Sequence, residues 1–303
     1  MSFKYAAFKK MTQSSKAKKK LAQPLDDILF EISKSPRIYR MPKFTHALLD
    51  VHVEEFRSCD VYYIKHRQAP AENRKVCLYV NGAHMLWNPD QYHVKRGVGI
   101  CLNTGYDVIA PYYPLCIYNP VSSAVNMLYD LYKTMLRDYA PENIQFVGFS
   151  SGAALLMSLI SHIHEMGEGL PVPSKIYIGS PETTIKTQEE WNEAVRLNDS
   201  DILVDCRYLV TLKDVLRHGM SSTPDYMVYL RDGNYTGLKK AYICYGSDEV
   251  TRATYPGIKA ALESAGAEVT TEIGEGLFHC YPIQEDIPEV EAGWNNMISF
   301  IKE

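Results

Sequence analysis

The chain has 303 residues, 46% of them hydrophobic, which suits one large α/β domain with an insertion better than two separate domains. Its formal net charge of -4 offers no surplus of Lys and Arg to a nucleic-acid backbone, so the composition points to small-molecule chemistry. Seven cysteines (Cys59, Cys77, Cys101, Cys116, Cys206, Cys244 and Cys280) are scattered without a C-x-x-C spacing and read as buried free thiols of a reducing compartment.

Along the chain, Lys4, Lys9, Lys10, Lys16, Lys18, Lys19 and Lys20 precede the first acid, Asp26. No continuous apolar stretch accompanies them, so a secretion signal is not expected and the location implied is cytoplasmic. This run reads as a solvated helical arm rather than a patch for membranes or anionic substrates. Residues 1–55 are taken as this basic arm and helices, forming part of a cap, and 56–303 as the core. Strands are predicted at Val61–Ile64, Val76–Val80, Asp107–Ala110, Ile144–Gly148, Lys175–Ile178, Ala241–Tyr245 and Glu268–Glu272. Between them Ala124, Leu128, Leu131, Tyr132 and Met135 recur at helical spacing, as do Val290, Trp294, Met297, Ile298 and Ile301. Short apolar runs alternating with helical patterns imply βαβ units and a mainly parallel sheet. The stretch of about 181–238 breaks this alternation with mixed charge and turn signals such as Asp232-Gly233-Asn234, and reads as an inserted cap. No segment reaches the roughly 20 apolar residues of a membrane-spanning helix.

The chemistry concentrates at Gly148-Phe149-Ser150-Ser151-Gly152, a G-x-S-x-G string between a predicted strand and a small-residue helix start. The chain must reverse there within a few residues, which leaves Ser150 strained and pointing out of the sheet. A serine hydroxyl needs a base and an orienting carboxylate to act as a nucleophile at neutral pH. After the strand Ala241–Tyr245 come Asp248 and Glu249, either of which fits the acid, and after the next strand comes His279. Each candidate falls just past the carboxyl end of a predicted strand, and serine, acid, histidine is the order of an α/β-hydrolase triad. Donors to an oxyanion are expected from the amide of Ser151 and from the turn Asn81-Gly82-Ala83-His84, where Gly82 and Ala83 allow close approach. His84 has two readings, a substrate contact and a satisfied structural histidine. His162 and His164 lack neighbouring acids or cysteines at ligand spacing, and no metal is expected.

Together these residues resemble the hormone-sensitive-lipase-like esterases of the α/β-hydrolase superfamily, over roughly residues 76–303. Asn81-Gly82-Ala83-His84 occupies the place of that family's H-G-G-G turn, differing at two of four positions. Pro111-Tyr112-Tyr113-Pro114-Leu115 is similar to its tyrosine-containing stretch, which makes Tyr113 a substrate-binding candidate. Leu197–Leu203 resembles its return from cap to core, and Gly276-Leu277-Phe278-His279 its histidine segment. The family's acid lies three residues after the strand-closing glycine and three before an arginine, which favours Glu249 over Asp248 given Gly246 and Arg252. The resemblance implies an α/β-hydrolase fold with a helical cap and a serine carboxylesterase acting on a small to medium acyl ester, without a cofactor. An acyltransferase or deacetylase with the same triad is one alternative, and a catalytically silent binding protein on this scaffold is the other. The partner expected is a small-molecule ester, and a homodimer is the one assembly left open.

Overall fold

A computed structural model describes residues 1–34, 46–69, 72–87, 91–284 and 286–303. Part of the expected N-terminal arm, residues 35–45, lies outside the described residues. Eight strands form one sheet: β1 (Leu49–Phe56), β2 (Cys59–His66), β3 (Val76–Val80), β4 (Asp107–Pro111), β5 (Ile144–Phe149), β6 (Lys175–Gly179), β7 (Lys240–Gly246) and β8 (Glu268–Gly274). Their spatial order is β1-β2-β4-β3-β5-β6-β7-β8. The pairs β1/β2 and β2/β4 are antiparallel and the others parallel.

The helices are α1 (Phe3–Ser14), α2 (Ala17–Leu21), α3 (Leu25–Lys34), α4 (Gln91–Thr104), α5 (Val121–Asp138), α6 (Ser151–Met166), α7 (Gln188–Leu197), α8 (Cys206–Arg217), α9 (Tyr255–Ser264) and α10 (Glu291–Lys302). Alternation along each strand divides the core into two layers. Val76, Leu78 and Val80 of β3, Phe146 of β5 and Ile176 and Ile178 of β6 pack with α5, α6, α8 and α9. Cys77 and Tyr79, Val147 and Phe149, and Tyr177 face the other way, toward α1, α4 and α10. Burial on both faces explains why these strands read as unbroken apolar runs. The stripes on α5 and α10 are buried as their spacing predicts, with Trp294 partly covered.

All seven predicted strands are present, each extended by at most a few residues. The strand β1 is absent from the prediction. It is an edge strand carrying Asp50, Glu54 and Glu55, with only Leu49 fully buried. Its two-residue turn onto β2 places Arg57 and Ser58 at φ 48° and 61°, a conformation usually signalled by Asn-Gly or Asp-Gly.

Within 181–238 lie α7 and α8. Thr187 and Glu190 form a capping box that starts α7, and Asp205 caps α8. The N-terminal helices are less solvated than expected. Tyr5 of α1 is buried and donates to the Gly276 carbonyl at 2.6 Å, Phe8 packs on Phe278, and Ile28 and Ile32 of α3 enter the core. Several lysines of the arm remain exposed, but Lys18 Nζ donates to the carbonyls of Asp201, at 2.8 Å, and Asn198. No helix among the described residues is long and apolar enough to cross a membrane. Six of the free cysteines are buried and Cys59 is partly so.

Candidate active site

The turn from β5 into α6 holds Ser150 at φ 54° and ψ -131°. A non-glycine residue there stores about 1–3 kcal/mol of strain, which the surroundings must hold in place. Three backbone bonds do so: the Ser150 amide donates to Gly179 O at 2.8 Å, and its carbonyl accepts from Ala154 and Glu182 at 3.2 and 3.3 Å. Position 152 accepts only glycine, because a Cβ would stand 2.2 Å from the Val80 carbonyl oxygen at the end of the neighbouring strand.

Tertiary folding brings three loops onto this serine. His279 Nε2 lies 3.0 Å from Ser150 Oγ, and His279 Nδ1 lies 2.6 Å from Glu249 Oε2. The Glu249 side chain is fully buried, and its charge is met by donors on both oxygens. Oε1 accepts from Gly246 N–H at 2.6 Å and Ser180 Oγ at 2.8 Å, and Oε2 also accepts from Thr251 Oγ1. Ser180 in turn accepts from the Cys280 amide at 2.9 Å, so one hydroxyl at the end of β6 ties the acid loop to the histidine loop. Burial opposes protonation of His279, but Cys280 and the hydrogen-bonded Glu249 carboxylate outweigh it and hold the imidazole well above its ordinary pKa.

Asp201, in the link between α7 and α8, supports the acid loop. It is buried and accepts from the amides of Leu203, Val204 and Val250 at 2.7, 2.8 and 2.8 Å. Burial raises its pKa above the usual carboxylate value, against the pull of those amides.

Facing Ser150 is the turn after β3. Gly82 is pressed so closely on the elbow that a Cβ would lie 2.6 Å from both Ser150 Cβ and the Ser151 nitrogen. Ser151 opens α6, where backbone N–H groups have no partner within the helix. Its hydroxyl accepts from the Ala83 and Met85 amides at 3.1 and 3.3 Å.

The expected site residues therefore divide. Ser150, His279 and Glu249 converge, and Gly82 and Ser151 border them. Asp248 does not join: its carboxylate accepts from Ser247 Oγ at 2.9 Å, one residue from the position that faces the histidine. The Ala83 amide is directed at Ser151 Oγ rather than at open space. Tyr113 is buried, 2% exposed, with its hydroxyl donating to the Asn81 carbonyl at 3.0 Å. His84 pairs with Glu182, its Nδ1 2.6 Å from Oε1. Sequence reasoning assigned no role to Ser180, Glu182, Asp201 or Thr251. Glu182 follows a sheet strand by a few residues, the same signal that pointed to Glu249.

This sheet order, elbow and convergence of side chains define an α/β hydrolase. A family model described as the alpha/beta hydrolase fold matches residues 79–283, and the chain belongs to that family. A Streptomyces hygroscopicus protein named acetyl-hydrolase is 25% identical over 226 residues, covering 71% of this chain and 70% of that protein. The solved structure of an esterase/lipase from an uncultured bacterium aligns with a TM-score of 0.80 at 17% identity, over 100% of this chain and 98% of its own. An esterase of the bacterial hormone-sensitive lipase family gives 0.77 at 16% identity, over 97% of both chains. At such identities the structural likeness carries the fold.

Proposed function

We propose that this protein is a serine carboxylesterase that cleaves small to medium acyl esters through an acyl-serine intermediate. The observation that carries the reading is the unbroken series Ser150 Oγ, His279, Glu249, with separations of 3.0 and 2.6 Å, mounted on a strained elbow. The names borne by its relatives, acetyl-hydrolase and esterase, agree with ester chemistry.

In the first half-reaction Ser150 Oγ attacks the ester carbonyl while His279 Nε2 takes its proton. Glu249, accepting from Nδ1, keeps the imidazole in the tautomer whose Nε2 lone pair faces the serine, and stabilises the imidazolium that forms. The negative charge on the carbonyl oxygen falls to the amides of Gly82 and Ser151, at the positive end of α6. The Ala83 amide joins them only by releasing Ser151 Oγ. His279 then passes the proton to the departing alkoxide, and the alcohol leaves. Water, deprotonated by the same imidazole, attacks the acyl-serine and releases the carboxylic acid, restoring Ser150. The buried thiols suit a reducing, cytoplasmic setting.

A fluorophosphonate probe and a series of p-nitrophenyl esters of increasing acyl length test this reading. Labelling and turnover that disappear in Ser150→Ala support the esterase. Folded protein that neither labels nor turns over an ester overturns it in favour of a binding protein. Transfer of the acyl group to an added alcohol in preference to water identifies an acyltransferase.

A further inference from the structure

Beside the nucleophile lies a second carboxylate–histidine pair that the mechanism above does not use. His84 belongs to the turn carrying Gly82 and Ala83, and its Nδ1 is 2.6 Å from Glu182 Oε1. Glu182 sits in the loop after β6, and its amide donates to the carbonyl of Ser150 itself. The pair thus bridges the oxyanion turn and the elbow. The Glu182 side chain is fully buried, whereas 21% of the His84 side chain is exposed, more than the 8% of His279. Glu182 Oε2 has no hydrogen-bond partner among the described residues, so the carboxylate's grip on the site runs through His84 alone.

Further contacts immobilise the imidazole. Its ring meets Trp87 and Tyr208 edge to face, with centroids 5.8 and 5.3 Å away, and the Tyr208 hydroxyl donates to the His84 carbonyl at 2.9 Å. Donation from Nδ1–H to a carboxylate fixes the tautomer of a neutral imidazole and leaves a lone pair on Nε2. No described residue bonds that nitrogen. A buried acid spent on orienting a partly open histidine is costly for packing alone, because one carboxylate oxygen goes unpaired.

Resting on the esterase reading, we propose that His84 Nε2 accepts a hydrogen bond from a hydroxyl on the acyl part of the substrate, so that the preferred substrates are hydroxyacyl esters. The acyl side is indicated because the leaving oxygen must lie against His279, whereas His84 is on the turn that faces the carbonyl oxygen. A single residue, Ala83, separates His84 from Gly82, so their Cα atoms, two steps apart, are at most about 7.6 Å from each other, which places the recognised hydroxyl a few bonds from the carbonyl. His84 is a binding residue in this scheme, and Glu182 is a positioning residue that acts through it.

Calorimetric titration of the Ser150→Ala protein with ethyl 3-hydroxybutyrate and with ethyl butyrate separates this inference from the esterase reading, because no turnover is needed. The hydroxy ester is expected to bind at least tenfold more tightly. That ratio should fall to about one in the double variant His84→Ala/Glu182→Gln, which leaves no unpaired buried charge, and also in His84→Ala alone. In the active enzyme the ratio of kcat/KM for p-nitrophenyl 3-hydroxybutyrate and p-nitrophenyl butyrate should collapse in the same way, a change that a purely structural role of the pair would not produce. Equal binding of the two esters by Ser150→Ala, or a preference that survives in the folded double variant, overturns the proposal even if the protein is an active esterase. Preferential binding without any hydrolysis by the Ser150 enzyme upholds the hydroxyl contact of His84 and overturns the esterase reading, and with it the assignment of hydroxyacyl esters as substrates.

Discussion

Replacing Glu249 by Gln tests the orienting carboxylate with almost no change of volume. Each of its oxygens faces donors: Gly246 N–H and Ser180 Oγ at Oε1, His279 Nδ1 and Thr251 Oγ1 at Oε2. An amide must put its NH₂ on one side. The Gly246 amide can only donate, and facing it with NH₂ would leave two buried donors opposed, at about 1–3 kcal/mol. The imidazole can change tautomer, so the NH₂ group is expected to turn toward His279. Its proton then moves to Nε2, where it points at Ser150 and cannot take the serine's hydrogen. In a serine protease the corresponding carboxylate-to-amide change lowers kcat by about 10⁴, equivalent to about 5.4 kcal/mol of barrier, and the same scale is expected here. The measurement is kcat for p-nitrophenyl acetate from pH 5 to 9, with thermal unfolding to confirm the fold. In the wild type the raised His279 pKa is expected to make activity fall as pH drops through that value, because the protonated ring is not a base. Removing the carboxylate that contributes to this rise should move the acid limb of any residual activity to lower pH. A folded Glu249→Gln enzyme that keeps kcat within tenfold of wild type would refute the reasoning.

Further outcomes follow from packing and burial. Gly152→Ala drives a methyl onto the Val80 carbonyl, and a loss of about 3 kcal/mol in urea denaturation together with loss of fluorophosphonate labelling is expected. Asp201→Ala leaves the amides of Leu203, Val204 and Val250 without their acceptor, so stability should fall by at least about 2 kcal/mol, and kcat should drop because Val250 follows the acid. His93 is buried between Tyr79 and Tyr112, and burial and then Arg96 push its pKa down to about 3. The unfolded chain therefore binds one more proton between that value and about 6.5, and stability should decline as pH falls through this window by about 1.4 kcal/mol per pH unit. In His93→Phe that part of the slope should vanish from denaturation curves taken between pH 4 and 7; an unchanged slope would show that other groups set the acid sensitivity.

How much of this was legible in the sequence depended on how local the physics was. Strands β3 to β7 were readable because burial on both faces demands continuous apolar runs, and the elbow because G-x-S-x-G between an apolar run and a small-residue helix start is a local pattern, although the clash that keeps position 152 a glycine comes from Val80 on the neighbouring strand. The edge strand β1 was not, since half-exposed residues carry no clear period and the turn at Arg57 and Ser58 lacks the residues that usually mark it. The docking of the N-terminal helices was also illegible, because what Tyr5 and Phe8 bury against lies some 270 residues further on.

By itself the sequence determined the class of fold, the candidate nucleophile and base, and two candidate acids, of which the family resemblance favoured Glu249. Which carboxylate meets His279 was decided only in three dimensions, by the direction in which the chain leaves β7, where the donors from Gly246 and Ser180 hold Glu249 inward while Asp248 turns to Ser247. The same is true of Ala83, Tyr113 and the His84–Glu182 pair. Their partners come from strands and turns far apart in the chain, and the bond each side chain makes depends on distances that only the assembled sheet sets.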